Sequence, residues 1–241
     1  MPPMALTRWL IGLGLLASAC ESKAAAEDKT QSAPVPIVVE LFTSEGCSSC
    51  PPADAVLAQL EAKQPVPGAL VIPLAHHVDY WDSLGWPDPF ASNAATKRQR
   101  SYGGNYTPQA VIDGSAEMVG SRQSAIESAI AEAAKRPHVK VVITPGATAG
   151  EFTVSAPAVP DSEIVVALVQ ARARIAVPRG ENGGRTLDHT AIVRDLKTGP
   201  RATFTLPKGL AAADARVVAF VQDQKSRRIV GAAQAPFSTA R

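Results

Sequence analysis

The chain has 241 residues, of which 46% are hydrophobic and 19% are charged, and its formal net charge is +2. This composition is typical of a packed globular protein and excludes a largely disordered chain. The small net charge, without a basic stretch interleaved with aromatic residues, excludes nucleic acid as the expected partner. The length allows one large domain or two modest ones.

The N-terminus is typical of an export signal. Arg8 precedes an apolar run over residues 9–17, which is too short for a permanent membrane helix. Residues 24–26 fit a signal-peptidase site of the A-x-A type, so that residues 1–26 would be the signal peptide. Residues 16–20 instead resemble a bacterial lipobox, in which residues 1–19 are the signal and Cys20 is lipidated. An uncleaved anchor is the third alternative.

Export would place the mature protein in the periplasm or elsewhere in the cell envelope, with a possible lipid anchor at Cys20. Residues 27–34 are small or polar and predict a linker. No later apolar run is long enough for a membrane helix, so we expect the rest of the chain to be soluble. Exported thiols meet an oxidising environment, where disulfide chemistry is expected.

Strand and helix patterns alternate over residues 35–137. Residues 35–42 and 69–75 are apolar and rich in β-branched side chains, which predicts two largely buried strands. Residues 51–63 have apolar side chains at helical spacing, so the three segments predict a parallel βαβ unit. Further predicted elements are a helix over 91–101, a hairpin around Asp113–Gly114 over 109–119, and a helix over 121–136 capped by Ser121 and ended by Pro137.

Beyond Pro137 the pattern changes to short β-like runs separated by Gly and Pro turns, which predicts a β-rich, sandwich-like domain over residues 138–237. A short Ala-rich stretch at 209–215 is the exception. The predicted strands are 139–144, 151–156, 163–170, 187–194, 202–206, 216–222 and 228–233.

Cys47 and Cys50 lie between the first predicted strand and helix. A helix N-terminus stabilises a thiolate through its dipole and unpaired N–H groups, and a spacing of three lets the sulfurs form a disulfide. We predict a redox pair in which Cys47, on the solvent side, attacks a substrate disulfide and the more buried Cys50 resolves the mixed disulfide. Ser48 and Ser49 would donate hydrogen bonds, whereas the Glu45 carboxylate opposes thiolate formation.

Two other interpretations of the pair stay open. A structural disulfide is common in exported proteins, although so small a loop constrains the unfolded chain least. A metal site would need further ligands, for which only His76 and His77 are near in sequence. Two thiolates and an imidazole would suit copper(I).

Four segments carry a resemblance to a known family: residues 38–54 (VVELFTSEGCSSCPPAD), 76–90 (HHVDYWDSLGWPDPF), 106–114 (YTPQAVIDG) and 179–190 (RGENGGRTLDHT). Together they resemble a family of secreted bacterial proteins of unassigned function with a thioredoxin-like N-terminal half. The resemblance covers residues 36 to 235 or so. It implies an α/β thioredoxin-like domain over 35–137, followed by the β-rich domain.

The resemblance also implies roles for single residues. Thr107–Pro108 occupies the place of a cis-proline loop facing the cysteines, where the backbone of Thr107 would bind an extended substrate. An ordinary trans proline at the start of a strand is the alternative. Glu40 is the candidate for a buried acid beneath Cys50 that accepts its proton, although it lies one residue out of the family's usual register. Otherwise it is an ordinary glutamate at a strand end.

Two segments are candidates for the surroundings of the pair. His77, Tyr80 and Trp81 follow the second strand, at the sheet edge where α/β folds bind ligands, and would form a wall of the site. Alternatively, they pack an irregular loop. Residues 179–186 are either a binding loop that reaches back over the site or a Gly-rich β-turn.

The sequence therefore predicts an exported thiol–disulfide oxidoreductase that acts on a protein or small-molecule thiol or disulfide, without a cofactor or metal. Its direction of electron flow does not follow from the residues between the cysteines. A copper carrier and a non-catalytic binding module with a permanently oxidised pair are the alternatives.

Overall fold

The computed structural model describes Met1 and residues 33–239. The predicted export signal, the lipidation site Cys20 and most of the predicted linker lie outside the described residues. In the part of the chain that is described, no helix is long and apolar enough to span a membrane.

The first seven helices and strands follow the order that the hydrophobic pattern predicts. The first strand and the second are parallel, and the third pairs antiparallel with the first on its other side. The fourth strand completes a hairpin with the third. The elements are β1 (Val35–Thr43), α1 (Pro51–Lys63), β2 (Ala69–His77), α2 (Asn93–Arg100), β3 (Gln109–Ile112), β4 (Ala116–Val119) and α3 (Gln123–Ala134).

β1 is buried on both faces, which explains its continuous apolar sequence. Ile37, Val39 and Leu41 face α1 and α3 on one side of the sheet. Val38 and Phe42 point to the other side, where they join separate apolar clusters. Residues of β1 with even numbers therefore lie on the face away from α1.

The start of α3 differs from the prediction. Arg122, and not Ser121, is the N-cap residue, and no side chain caps the helix. Ser121 is therefore a turn residue, and the helix is held by its buried face of Ile126, Ile130 and Ala133. α1, in contrast, has the predicted bounds, with Pro51 and Pro52 in its first turn.

Seven strands follow α3. β5, β6 and β9 form a three-stranded sheet whose Phe152 packs in one apolar core with Leu168 and Val217 of the larger sheet. The three-stranded sheet thus packs on the larger one, and the Ala-rich stretch forms only a 3₁₀ turn, Ala212–Asp214. The strands are β5 (Val142–Pro145), β6 (Glu151–Ser155), β7 (Ser162–Val177), β8 (Arg185–Thr198), β9 (Arg201–Thr203), β10 (Ala215–Asp223) and β11 (Ile229–Pro236).

One large sheet runs through both halves of the chain, in the order β11-β10-β7-β8-β2-β1-β3-β4. β8 joins β2 in parallel at the pair Ala75 and Ile192. Residues from Ala33 onward form one compact unit. The structure therefore has a mixed α/β fold dominated by a single sheet, and it does not divide at the predicted boundary near residue 137.

β7 and β8 form a hairpin whose strands are 16 and 14 residues long. Both strands extend well beyond the predicted segments 163–170 and 187–194. In the additional part of β7, Arg172 and Arg174 are exposed. The apolar pattern in the sequence therefore ends before the strand does. The hairpin carries its tip, residues 178–184, from the β-rich half to the loop that holds the cysteines.

Asp113 and Gly114 form the tip of the β3–β4 hairpin, as predicted, and join it to the rest of the sheet. Asp113 Oδ1 accepts a hydrogen bond from Val38 N at 2.9 Å, and its Oδ2 lies 2.7 Å from His138 Nε2. Gly114 has a positive φ of 65°, and a Cβ there would lie 1.9 Å from Arg227 O. Only glycine fits this position.

The His138–Asp113 pair predicts pH-dependent stability. The hydrogen bond that His138 donates to the Asp113 carboxylate raises the pKa of His138 above its ordinary value. The protonated form is therefore favoured in the fold, and its stabilisation is complete below about pH 6.5 and lost as the pH rises through the folded-state pKa. We expect His138→Gln to lower the free energy of unfolding by about 1–2 kcal/mol near pH 5.5, and by less near pH 9. Urea unfolding at both pH values measures this, and equal losses would contradict it.

Candidate functional site

Cys47 and Cys50 form a disulfide, with their Cα atoms 5.4 Å apart. Both residues are 0% exposed, while Ser48 and Ser49 between them are exposed. The prediction that Cys47 lies on the solvent side is therefore wrong for this conformation. The disulfide is covered, and a thiolate has no open path to either sulfur.

The backbone around the pair offers the sulfurs fewer donors than the sequence suggested. Cys50 is the N-cap of α1, and its carbonyl accepts the N–H groups of Ala53 and Asp54 at 2.8 and 3.1 Å. The two prolines at the helix start carry no N–H. The Cys47 N–H donates to Ser44 O, and the side-chain contact of Cys47 Sγ is with Ser49 Oγ at 3.3 Å.

Asn182 covers the cysteine loop from the tip of the β7–β8 hairpin. Its Nδ2 donates to Glu45 O at 2.8 Å and to Cys47 O at 2.9 Å. Its Oδ1 accepts from Arg185 Nη1 at 2.7 Å, which fixes the orientation of the amide. Asn182 is 0% exposed although its neighbours in sequence are exposed. We refer to residues 178–184 as the cap segment.

Two further contacts hold the cap segment in place, one to the cysteine loop and one to Trp86. Ser48 N donates to Glu181 Oε2 at 2.9 Å. Gly180 lies against Trp86, because a Cβ on Gly180 would come within 3.1 Å of Trp86 Cβ. The predicted Gly-rich loop thus lies over the cysteine loop. The same loop is the tip of a β-hairpin.

A buried polar network lies behind the cysteine loop. The Glu45 carboxylate accepts from Trp86 Nε1 at 2.6 Å and lies 3.0 Å from His189 Nε2. The Glu45 N–H donates to Asp88 Oδ2 at 2.8 Å. That same oxygen lies 2.6 Å from His77 Nδ1. His77, a predicted wall residue, therefore lies behind the cysteines and supports Glu45 through Asp88.

The network favours a charge on both His77 and Asp88. Burial opposes a charge on His77, but the neighbouring carboxylates, Asp88 foremost, outweigh burial and leave the pKa of His77 above its ordinary value. Burial likewise opposes a charge on Asp88, and His77 lowers the pKa of that carboxyl. The His77 ring packs edge-on against His189, with the ring centroids 4.9 Å apart.

Asp54 is a buried acid beside this network that the sequence interpretation missed. Its Oδ1 accepts from Thr43 Oγ1 at 2.9 Å. Burial raises the pKa of Asp54, and the nearby His189 and His77 only partly offset this. A usable signal was present, because Asp54 precedes the buried Leu57 by three residues and so lies on the apolar side of α1.

Replacing Asp54 with asparagine is expected to stabilise the protein at alkaline pH. A raised carboxyl pKa in the fold means that stability falls as pH rises from about 3.9 through the folded-state pKa. Asp54→Asn removes that penalty and keeps an oxygen for Thr43, so we expect about 1–2 kcal/mol of added stability at pH 8 and little change at pH 4. Thermal unfolding at both pH values, with the exposed Asp214→Asn as control, measures it. Destabilisation at pH 8 would contradict the expectation.

Trp81 links the cysteine loop to the proline segment. Its Nε1 donates to Thr107 Oγ1 at 2.8 Å, and a Cβ on Gly46 would lie 3.0 Å from Trp81 Cβ. The Thr107–Pro108 peptide bond is cis, as predicted. Tyr80 is half-buried and donates from its hydroxyl to Gln99 Oε1 at 3.2 Å. Trp81 and Thr107 are thus beside the cysteine loop, and Tyr80 packs against α2.

Glu40 is placed away from the cysteines, which corrects its predicted role. It lies on the face of β1 away from α1, where Arg98 Nη2 donates to its Oε2 at 2.9 Å and Tyr102 OH donates at 2.5 Å. His76 Nε2 lies 2.8 Å from Oε1, out of line for a hydrogen bond. Burial alone would raise the pKa of Glu40, but Arg98 and His76 hold it far below its usual range. It remains ionised and is no proton acceptor for Cys50.

The described residues contain no group of three or more His, Cys, Asp or Glu side chains arranged to hold a metal ion. Of the two histidines considered as copper ligands, His77 Nδ1 lies 2.6 Å from Asp88 Oδ2 and His76 Nε2 lies 2.8 Å from Glu40 Oε1.

A family model described as a protein of unknown function (DUF1223) matches residues 38–222. No curated protein matches the sequence at a significant level.

Three solved structures match this chain in a structural comparison. An Agrobacterium tumefaciens protein from a structural genomics consortium is 28% identical, with a TM-score of 0.66 over 87% of this chain and 98% of its own. HBP35 of Porphyromonas gingivalis is 15% identical, with a TM-score of 0.59 over 87% of this chain and 77% of its own. A domain of the outer membrane lipoprotein Omp28 from Porphyromonas gingivalis is 15% identical over 44% of this chain and 92% of its own, but its TM-score is 0.26. No likeness of fold follows at that score.

Proposed function

The chain belongs to the DUF1223 family, and from that premise we propose that it is an exported thiol–disulfide oxidoreductase with Cys47 and Cys50 as its exchange pair. The observation that carries the proposal is a disulfide between residues three apart at the first turn of α1. A loop this small contributes little to stability, so a purely structural role explains the bond poorly. The export pattern of the N-terminal sequence supports a location in the envelope.

The order and pairing of the first seven elements support a thioredoxin-like arrangement around the pair. β1, α1 and β2 form a parallel unit, and β3 and β4 form an antiparallel hairpin followed by α3. Gln109 pairs with Phe42, so Pro108 lies at the sheet end where β1 leads into the cysteine loop. An extended substrate along Thr107 would therefore pass close to the disulfide.

The proposed reaction is exchange through a mixed disulfide. In the fraction of molecules in which the disulfide is uncovered, a substrate thiolate attacks one sulfur, the Cys47–Cys50 bond breaks, and the other cysteine leaves as a thiolate. A second substrate thiolate then attacks the mixed disulfide, which gives an oxidised substrate and the reduced pair; the reverse sequence reduces a substrate. Because most backbone donors near the sulfurs have other acceptors, the leaving thiolate gains little stabilisation. We expect the reduction potential of the Cys47–Cys50 pair to be nearer to about −270 mV than to about −120 mV.

Trapping tests the proposal directly. Cys50→Ser leaves Cys47 without a resolving partner, so it should accumulate mixed disulfides with partner proteins in the envelope. These adducts are seen on non-reducing gels and disappear on reduction. The matched variant is Cys47→Ser with Cys50 intact, and the comparison of the two shows which cysteine forms the adduct. No adduct with either variant, while the remaining thiol reacts with an alkylating agent, would overturn the proposal.

The complete burial of both cysteines favours a second candidate, a binding module whose pair stays oxidised. The reduction potential separates the two functions. A value below about −300 mV, together with an absence of trapped partners, would support the binding module.

A further inference from the structure

A second site lies on the flank of the β7–β8 hairpin. It is a cavity of about 360 Å³ between the hairpin, the turn at Phe90 and residues 207–210. Its lining combines three basic side chains with an apolar surface. These are Arg174, Arg194 and Lys208, and Phe90, Ile175 and Leu210. We refer to it as the basic groove.

Arg194 provides a fixed positive charge in the wall of the groove. It occupies a bulge in β8, since Leu168 pairs with Asp195 and Val169 with Val193. Its guanidinium stacks 5.0 Å above the Phe90 ring, and Nη1 donates to Gln170 Oε1 at 2.5 Å. Both contacts orient the group, and Gln170 brings no negative charge.

The charge of Arg194 is not neutralised by the protein. It is half-buried, and within residues 33–239 it forms no salt bridge with a carboxylate. Burial lowers its pKa, yet an arginine remains protonated at any physiological pH. A half-buried cation without a counter-charge is unfavourable, and an anion in the groove would relieve this.

The other charges around the groove leave it positive. Lys208, which also lines the groove, is exposed. Arg174 Nη1 lies 3.1 Å from Asp188 Oδ1, but both side chains are about 70% exposed, where a pair contributes little. Among the described residues that line the groove there is no Asp or Glu.

We propose that the basic groove binds a small organic anion. Its carboxylate, sulfonate or phosphate would lie against Arg194 and Lys208, and its apolar part against Phe90, Ile175 and Leu210. The cavity is within the range of about 300–1,000 Å³ that holds such ligands. The proposal does not depend on the redox function, although Phe90 also packs against His77 with ring centroids 5.3 Å apart.

Titration of the purified protein with 1-anilinonaphthalene-8-sulfonate, an anionic aromatic fluorophore, tests the site. We expect saturable enhancement at a stoichiometry of one, and competition by octanoate but not by butylammonium. Arg194→Gln should weaken binding about 10-fold because it removes the oriented charge. Lys208→Gln, on an exposed segment that does not risk the fold, should weaken it about 3-fold.

Lys140→Gln is the matched control, because Lys140 is exposed and distant in sequence from the groove residues. It should bind the dye as the unmodified protein does. Thermal unfolding of each variant confirms that the dye reports on the folded state. Equal affinity of all three variants, displacement by butylammonium, or enhancement that does not saturate would overturn the proposal.

Discussion

Replacing Asn182 with alanine is expected to speed the reduction of the Cys47–Cys50 disulfide by dithiothreitol roughly 30-fold. A covered disulfide reacts only in the fraction of molecules in which it is uncovered. Asn182 donates two buried hydrogen bonds to the cysteine loop, at Glu45 O and Cys47 O. Each contributes about 1 kcal/mol net, and about 1.4 kcal/mol corresponds to a factor of ten in the opening equilibrium.

The rate is measured by quenching with an alkylating agent and separating the reduced from the oxidised protein. Glu181→Gln, which weakens one exposed contact with Ser48 N, should raise the rate only 2- to 3-fold or so. Asn93→Ala is the control, since Asn93 is an exposed asparagine on α2. If Asn182→Ala reacts at the rate of the unmodified protein, the cap segment does not limit access. Even in that case, a partner trapped by Cys50→Ser would still support the exchange function.

Replacing Glu40 with glutamine is expected to cost about 3–5 kcal/mol of stability, because it leaves the buried charge of Arg98 without its partner. For a chain of this size the loss corresponds to a fall in Tm of roughly 10 °C. Glu40 is 0% exposed and is bonded to Arg98 and Tyr102. Tyr102→Phe removes one of these hydrogen bonds and keeps the charges of Glu40 and Arg98. We therefore expect it to lower the free energy of unfolding by only about 1 kcal/mol.

The pH dependence distinguishes the ion pair from simple packing. The pKa of Glu40 is held far below its usual range, so its stabilisation is present above about pH 4.3 and lost only as the pH falls through the folded-state value. The difference between Glu40→Gln and the unmodified protein should therefore be constant from about pH 5 to 8. Glu132→Gln, in an exposed pair with Lys135, should change stability by less than about 0.5 kcal/mol. A similarly small effect of Glu40→Gln would contradict the expectation.

Local patterns were sufficient to predict the elements around the cysteines. The β-branched run of β1, the apolar spacing of α1 and the Asp113–Gly114 turn each depend on residues close in sequence. The cis bond at Pro108 followed from the resemblance and not from local pattern, because an X–Pro bond is trans by default.

Features that depend on distant pairing could not be predicted in this way. The pairing of Ala75 with Ile192 joins segments more than a hundred residues apart, and nothing near residue 137 signals it. The contact of Asn182 with the cysteine loop also joins distant segments, and a Gly-rich segment such as 179–186 has the local signature of a turn. Glu40 was misplaced because one residue of register moves a strand side chain to the other face, where Arg98 of α2 meets it.

The cap segment also sets an order of events during biosynthesis. Asn182 follows Cys47 by 135 positions, so the cysteines leave the ribosome long before the residue that covers them. Until β7 and β8 have paired, the two thiols are open to any oxidant or isomerase in their surroundings. We therefore expect the bond to form more readily before the hairpin closes than after the cap segment covers the thiols.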